Sequence, residues 1–320
     1  MPQPKPVSIL LLGSGWTSKF LIPELRSINI SFARTRRSVS QESGNDGAEV
    51  FPFSLDDSVT AQACQHLPAA QMVVTIFPLK TNLVQQLVSS YEQATSSSPA
   101  WLALGSTGAW QKPGVSNSDS PFNADNERVQ AEEILLGLHS QQKEAGRRTA
   151  VLNLAGLYGD ERNPANFAKR AADTKEKLKG KTSLHLVHGR DVARAILAMY
   201  NTLQDEEHVK QMWGRRWIVT DTHVYDWWQL LQILKPTPIP NGQQWVEELM
   251  NENNVESLPR PWPKDDKPDV PRELERALDS RSFWQTLKIQ PSLGRCDDYG
   301  PGGGGATLIA ASTATNKGAL

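Results

Sequence analysis

Two glycines two residues apart, Gly13 and Gly15, close the apolar run Val7–Leu12 and lead through Trp16, Thr17 and Ser18 into a helical pattern of Phe20, Leu21 and Leu25. Glycine suits this place for two reasons. Gly13 allows a sharp turn out of a strand, and Gly15 leaves bare backbone at a helix N-terminus, where N–H groups and the helix dipole attract a pyrophosphate. A second strand, expected over Ile28–Ala33, completes strand, turn, helix and strand in about 30 residues, the βαβ unit that binds dinucleotides. The third glycine of G-x-G-x-x-G is Ser18 here, and Pro23 stands where it should kink the helix or shift its start. Beyond the second strand a carboxylate would be expected for the ribose 2′-OH, but the chain has Arg34, Arg36 and Arg37. Guanidinium forks suit a 2′-phosphate, so NADP is expected rather than NAD.

Other positions extend this site. Ser54 and Leu55 follow a short third strand, Glu49–Phe53, at the turn that flanks the adenine in a dinucleotide fold and caps a helix ending near Leu67. Phe77 ends the buried-strand run Gln71–Phe77 and joins Gly13, Gly15, Trp16 and Thr17 as a cofactor-binding candidate. Hydroxyl chemistry is offered by Ser106 and Thr107 at the end of the strand Trp101–Leu104, and by Tyr158 in a glycine-flanked loop after the strand Ala150–Leu154. No carboxylate pair, Ser-His-Asp spacing or His/Cys ligand set stands out, so no metal is expected.

The elements that would position these residues alternate. After Asn126–Gln142, a strongly periodic helix, and Ala150–Leu154, the chain returns through Leu184–His188, a helix Asp191–Thr202 with Asp191 as N-cap, a strand Trp217–Thr220 and a helix Thr222–Leu234. A helix is also expected over Leu79–Tyr91, a polar loop over 111–124 and a lysine-studded solvated helix and loop over Phe167–Lys181. Residues 235–272 read as a proline-rich lid, and Arg272–Leu278 and Arg281–Leu287 as short helices or turns. Ser38–Ala48 reads as a surface loop, and the glycine-rich stretch from Asp297 as disordered. The fold class is α/β, a doubly wound, mostly parallel Rossmann sheet with a smaller C-terminal substrate lobe. Its parts are 1–235 for the dinucleotide, with 161–183 contributing to the substrate lobe, 236–295 for that lobe, and 296–320 as tail.

A net charge of −1 over 320 residues points away from nucleic acid. There is no long apolar run for a membrane, and two cysteines, Cys64 and Cys296, fit a reducing compartment. A soluble cytoplasmic protein acting on a small molecule is expected.

Four motifs in order now resemble one family, the extended short-chain dehydrogenase/reductases, nucleotide-sugar epimerases among them, and most closely its atypical branch. LLLGSGWTSKFL is similar to the glycine loop, LALGSTGAW to the S-[ST]-x-x-[YW] element, LNLAGLYGDERNP to R-x-x-[GN]-x-Y-G-P, and LVHGRDVARAI to H-x-x-D-[VL]-A. The resemblance spans roughly residues 7–295 and implies an NADP-dependent oxidoreductase or epimerase-like protein for a small carbonyl or sugar-nucleotide substrate. It makes Trp110 a pocket wall, places Arg162 and Asn163 on a loop facing substrate, and implies pairing of two copies through helices near 79–91 and 126–142. The family's Tyr-x-x-x-Lys pair falls in ADNERVQAEE, where Ala124 and Arg128 stand instead. Arg128 can hold a ribose or phosphate but not donate a proton. Tyr158, Ser106 and Thr107 are then the candidate catalytic residues, and a sensor that binds NADP without turnover is the rival reading.

Overall fold

The computed structural model describes residues 4–38, 49–55, 58–141, 147–234, 239–261 and 274–296. Short runs rich in Val, Ile, Leu and Ala form the strands. They are β1 (Val7–Leu12), β2 (Phe32–Arg36), β3 (Glu49–Pro52), β4 (Ala70–Thr75), β5 (Ala100–Ser106), β6 (Gly114–Ser116), β7 (Thr149–Leu154), β8 (Gly156–Tyr158), β9 (Ser183–Leu184), β10 (Leu186–His188), β11 (Arg216–Val219), β12 (Tyr225–Asp226) and β13 (Arg276–Leu278). Between them lie α1 (Trp16–Ser27), α2 (Ala61–Cys64), α3 (Val84–Thr95), α4 (Glu127–Gln141), α5 (Pro164–Ala171), α6 (Lys175–Lys179), α7 (Gly189–Thr202), α8 (Glu206–Met212), α9 (Trp227–Ile233), α10 (Gly242–Glu252) and α11 (Arg281–Thr286).

Seven strands form one parallel sheet in the order β11-β7-β5-β4-β1-β2-β3. The winding reverses between β1 and β4, and in such sheets the crevice beyond the strand C-termini at that point is where ligands bind. Alternate residues of β1 serve two cores. Ile9 and Leu11 pack with α1 and α7 on one face, while Leu10 and Leu12 pack with α3 and α4 on the other. A third cluster gathers Tyr158, Leu178, Tyr225, Trp228, Leu231, Val246 and Leu249 around α9 and α10. Phe283 and Trp284 of α11 return to the first core. Among the described residues no helix is long and apolar enough to cross a membrane.

Several boundaries differ from the sequence reading. The second strand is Phe32–Arg36 rather than Ile28–Ala33, because Ile28–Asn29 are used to close α1, with Asn29 at φ 55° and Ile30 N–H donating to Leu25 O. Helix α1 keeps its start at Trp16 and runs on through Pro23. Thr60, not Ser54, caps α2. Leu79–Leu83 form a turn ahead of α3, with Leu83 N–H donating to Lys80 O. Asp191 lies inside the first turn of α7, whose cap is His188, its Nδ1 accepting from Arg190 N–H at 3.1 Å. Burial lowers the His188 pKa to about 4, so the ring is neutral and free to accept. Helix α9 starts at Trp227 because Asp226 is its cap and Tyr225–Asp226 pair with Ser183–Leu184. The expected loop 111–124 and the expected short helix or turn Arg272–Leu278 each contribute a strand, β6 and β13, which pair in parallel. Phe167–Lys181 carries most of α5 and all of α6, and the described part of 235–272 carries α10. Of the expected loop Ser38–Ala48 all but Ser38, and the whole tail from Asp297, lie outside the described residues.

Candidate functional site

Strand β1 turns into α1 through Gly13-Ser14-Gly15 at the sheet's C-terminal edge. Gly13 sits at φ 94°, and a Cβ there would come to 3.2 Å from Phe77 Cδ1. Its N–H donates to Thr35 Oγ1 at 2.8 Å, and Ser14 Oγ donates to the Thr35 carbonyl at 2.9 Å. Arg36 Nε then donates to Ser14 Oγ at 3.1 Å, which holds the guanidinium beside the turn. Gly15 is different: a Cβ there meets only Ile76 Cγ2, at 3.9 Å, so the space above it is open. Among the described residues no side chain caps α1, and its first turn carries no acid. Its N-terminal N–H groups and dipole therefore favour an anion at this place.

The turn opens into a cleft of about 760 Å³. Of the sequence-predicted cofactor residues, Gly13, Gly15, Arg36, Arg37, Ser54, Leu55, Phe77 and Arg128 line it. Trp16, Thr17 and Arg34 are not among its lining residues. Trp16 donates its indole N–H to Gly159 O at 3.2 Å, and Thr17 is buried. Arg34 is 4 % exposed, because the later start of β2 puts it inside the strand, two residues or about 7 Å short of Arg36. Sequence reasoning missed Ser14, Thr35, Phe53, Pro78, Leu79, Lys80 and Glu127 in the lining. Thr35 could have been found, since it lies between two arginines already singled out.

Arg128 occupies the first turn of α4, three strands across the sheet from Arg36. One guanidinium nitrogen donates to Leu104 O at 2.9 Å. Glu132, one turn on, places Oε1 3.7 Å from Arg128 Nε. Glu132 is 3 % exposed and its Oε2 accepts from Asn153 Nδ2 at 2.8 Å and Arg216 Nη1 at 2.7 Å.

A second cleft, about 680 Å³, brings Arg162 and Asn163 together with Glu161, Asn166, Phe167, Lys169 and Arg170. Asn163 Oδ1 caps α5 by accepting from Ala165 N–H at 2.8 Å, and the Arg162 guanidinium lies 4.5 Å over the Trp16 ring. Lys19 of α1 donates to Asp160 and Glu161 at 2.7 and 2.6 Å. The loop before α5 is thus tied to the first turns of α1.

The expected catalytic residues do not converge on either cleft. Ser106 Oγ accepts from Gly108 N–H at 3.2 Å, and Thr107 is buried in the single helical turn that follows β5. Tyr158 is 2 % exposed, with its ring edge-on to His188 at 5.0 Å between centroids. Trp110 is also buried, donating its indole N–H to Ser120 O at 3.0 Å. Among the described residues no group of three or more His, Cys, Asp or Glu side chains could hold a metal ion.

Past the end of β11, burial pushes the Asp221 carboxyl up to about 7, although Tyr225 donates its hydroxyl to Oδ2 at 2.6 Å. A pKa raised above the ordinary 3.8 means that the folded state holds this proton more tightly than the unfolded chain. The stabilisation is complete below about pH 4 and is lost as pH rises through about 7. We expect Asp221→Asn to gain up to about 4 kcal/mol on wild type between those limits, read from denaturation midpoints across pH. A constant difference between the two proteins would contradict the assignment.

No protein-family model matches the chain, and no curated protein does. Solved structures do match. A Methylobacillus flagellatus protein assigned to the NAD-dependent epimerase/dehydratases superposes with a TM-score of 0.60 at 15% identity, over 96% of this chain and 99% of its own. UDP-glucose 4-epimerase from Brucella ovis, solved with NAD, gives 0.60 at 12% identity over 92% and 95%. RMD from Pseudomonas aeruginosa, solved with NADPH, gives 0.50 at 13% over 91% and 94%. The chain shares with these structures the α/β Rossmann fold, a parallel sheet flanked by helices.

Proposed function

We propose that a chain with this fold binds NADP in the larger cleft and acts as an oxidoreductase or epimerase-like protein on a small carbonyl or sugar-nucleotide substrate. One observation carries the reading: the uncapped N-terminus of α1 opens into the cleft beneath an arginine fixed by Ser14. The residues fit such a ligand. Gly13 and Gly15 keep the turn clear for a pyrophosphate, Arg36 and Arg37 take the 2′-phosphate, Ser54 and Leu55 flank the adenine, and Arg128 reaches the distal ribose. When bound, the dinucleotide supplies hydride transfer. The substrate lies toward Arg162 and Asn163, in a lobe made of 161–183 and 236–295 that is anchored in the first core by Phe283 and Trp284.

Removing Arg36 and Arg37 together should erase about a hundredfold or more of preference for NADP over NAD, since each charge-assisted bond to phosphate contributes about 1.5–3 kcal/mol. Calorimetric titration of both cofactors reads this. Wild type binding NAD as tightly as NADP would defeat the assignment.

A second reading, binding without turnover, is favoured by Ala124 and Arg128 at the Tyr and Lys places and by the burial of Tyr158. NADPH oxidation across a carbonyl panel separates the two. A missing positioned acid lowers a rate by about 10²–10⁴-fold, so any turnover should be slow. Under the enzymatic reading, Tyr158→Phe lowers kcat and leaves NADPH affinity unchanged. Unchanged kcat moves the proton to Ser106, Thr107 or water, and tight binding with no turnover on any substrate supports the sensor.

A further inference from the structure

The buried network centred on Glu132 touches the larger cleft through Arg128 and draws on three neighbouring elements. Glu132 comes from α4, Asn153 from β7 and Arg216 from β11. Asn153 Nδ2 donates both to Glu132 Oε2 and, at 3.1 Å, to the carbonyl of Ser106 at the end of β5. Arg216 divides its guanidinium between Glu132 and Glu133 and stacks 4.3 Å over Phe122. The strand above leaves no slack, since a Cβ on Gly105 would stand 2.4 Å from both Asn153 Nδ2 and Glu132 Oε1. Glu132 Oε2 thus accepts two hydrogen bonds, whereas Oε1 accepts none from the described residues and faces Arg128 Nε at 3.7 Å. Burying a carboxylate is costly unless its partners fix it, so this arrangement registers α4 against the end of β5.

Resting on the dinucleotide reading above, we propose that Glu132 is a positioning residue. It holds the Arg128 guanidinium against Leu104 O, so that Arg128 faces the end of the ligand remote from Arg36. Arg128 packs on β5 and Arg36 ends β2, three strand spacings or about 14 Å apart. A ligand held at the Arg36 end alone does not reach Arg128. The network therefore acts on one half of a dinucleotide.

The test compares NADPH with adenosine 2′,5′-bisphosphate, which lacks the nicotinamide half, by calorimetric titration of the full chain. Glu132→Gln should weaken NADPH by about tenfold to a hundredfold, the range for a bond to a charged group. The bisphosphate should stay within about twofold, as for independent sites. Arg128→Ala should show the same split, and the double variant should bind NADPH no more weakly than Arg128→Ala alone. If Glu132→Gln is too unstable to titrate, Glu132→Asp, which keeps the charge and shortens the arm, takes its place with the same expected split. Equal loss of both ligands, wild-type affinity in the variant, or losses that multiply in the double variant would each overturn the positioning role. Wild type that fails to bind NADPH overturns the dinucleotide reading instead, and the proposal falls with it.

Discussion

A Gly15→Val protein will fold and will bind NADP about a hundredfold more weakly than wild type, or worse, since at least two bonds to a charged phosphate are at stake. Folding survives because Gly15 has extended geometry, φ −79° and ψ −161°, which a β-branched residue adopts readily. Among the described residues the atom near its missing Cβ is Ile76 Cγ2, at 3.9 Å. The added methyls instead fill the open space above the α1 N-terminus, where the phosphates would rest. Gly13 could not serve for this test. Its φ of 94° and its closeness to Phe77 mean that any side chain there strains the turn itself. Calorimetry with the thermal midpoint measured alongside decides the matter, and unchanged affinity in a folded Gly15→Val protein would remove the site.

Asp226→Ala will cost about 3–5 kcal/mol of stability, the range for removing one partner of a buried ion pair. Asp226 and Arg260 are both wholly buried. The carboxylate accepts from Arg260 N at 2.7 Å and Nη2 at 2.6 Å, and also caps α9 through Trp228 N–H at 2.9 Å. Arg260 in turn donates to Lys181 O at 2.7 Å and lies 4.0 Å over the Trp228 ring. Alanine would remove the carboxylate that faces that buried guanidinium and leave α9 without its cap. The denaturant midpoint should fall with the slope of the transition unchanged. A loss below about 1 kcal/mol, typical of an exposed pair, would show that water reaches the site.

Much of this was readable in the chain because the central strands are apolar runs punctuated by glycine and proline, and the cofactor candidates sit at their ends. Gly13 and Gly15 needed only that alternation, and Arg128 needed the resemblance that sets it at the family's lysine place. The misplacement of β2 has a local cause. Ile28 and Ile30 alternate like strand residues, yet one asparagine in a left-handed conformation assigns them to the helix end. That shift drew Arg34 into the core and left Arg36 and Arg37 at the cleft. Lys80 escaped notice because its place depends on a turn between Pro78 and α3 that has no periodicity. Tyr158 looked available from its glycine-flanked loop, but its burial depends on packing with residues around α9 and α10, far along the chain. Three-residue strands such as β6 and β13 carry too few positions for a pattern to register.

That last pairing has a consequence for biosynthesis. All seven strands of the main sheet have been synthesised once Val219 is made, yet the fold at that stage is unfinished. Trp284 must still reach back 64 positions to donate its indole N–H to Thr220 O at 3.0 Å, and Arg276 reaches back 166 positions to the Trp110 carbonyl at 2.5 Å. Until those residues emerge, the apolar face destined for Phe283 and Trp284 is open to water and to other nascent chains. Vectorial synthesis therefore leaves a long interval in which a nearly complete sheet is sticky, and it ends only when the last described helix arrives.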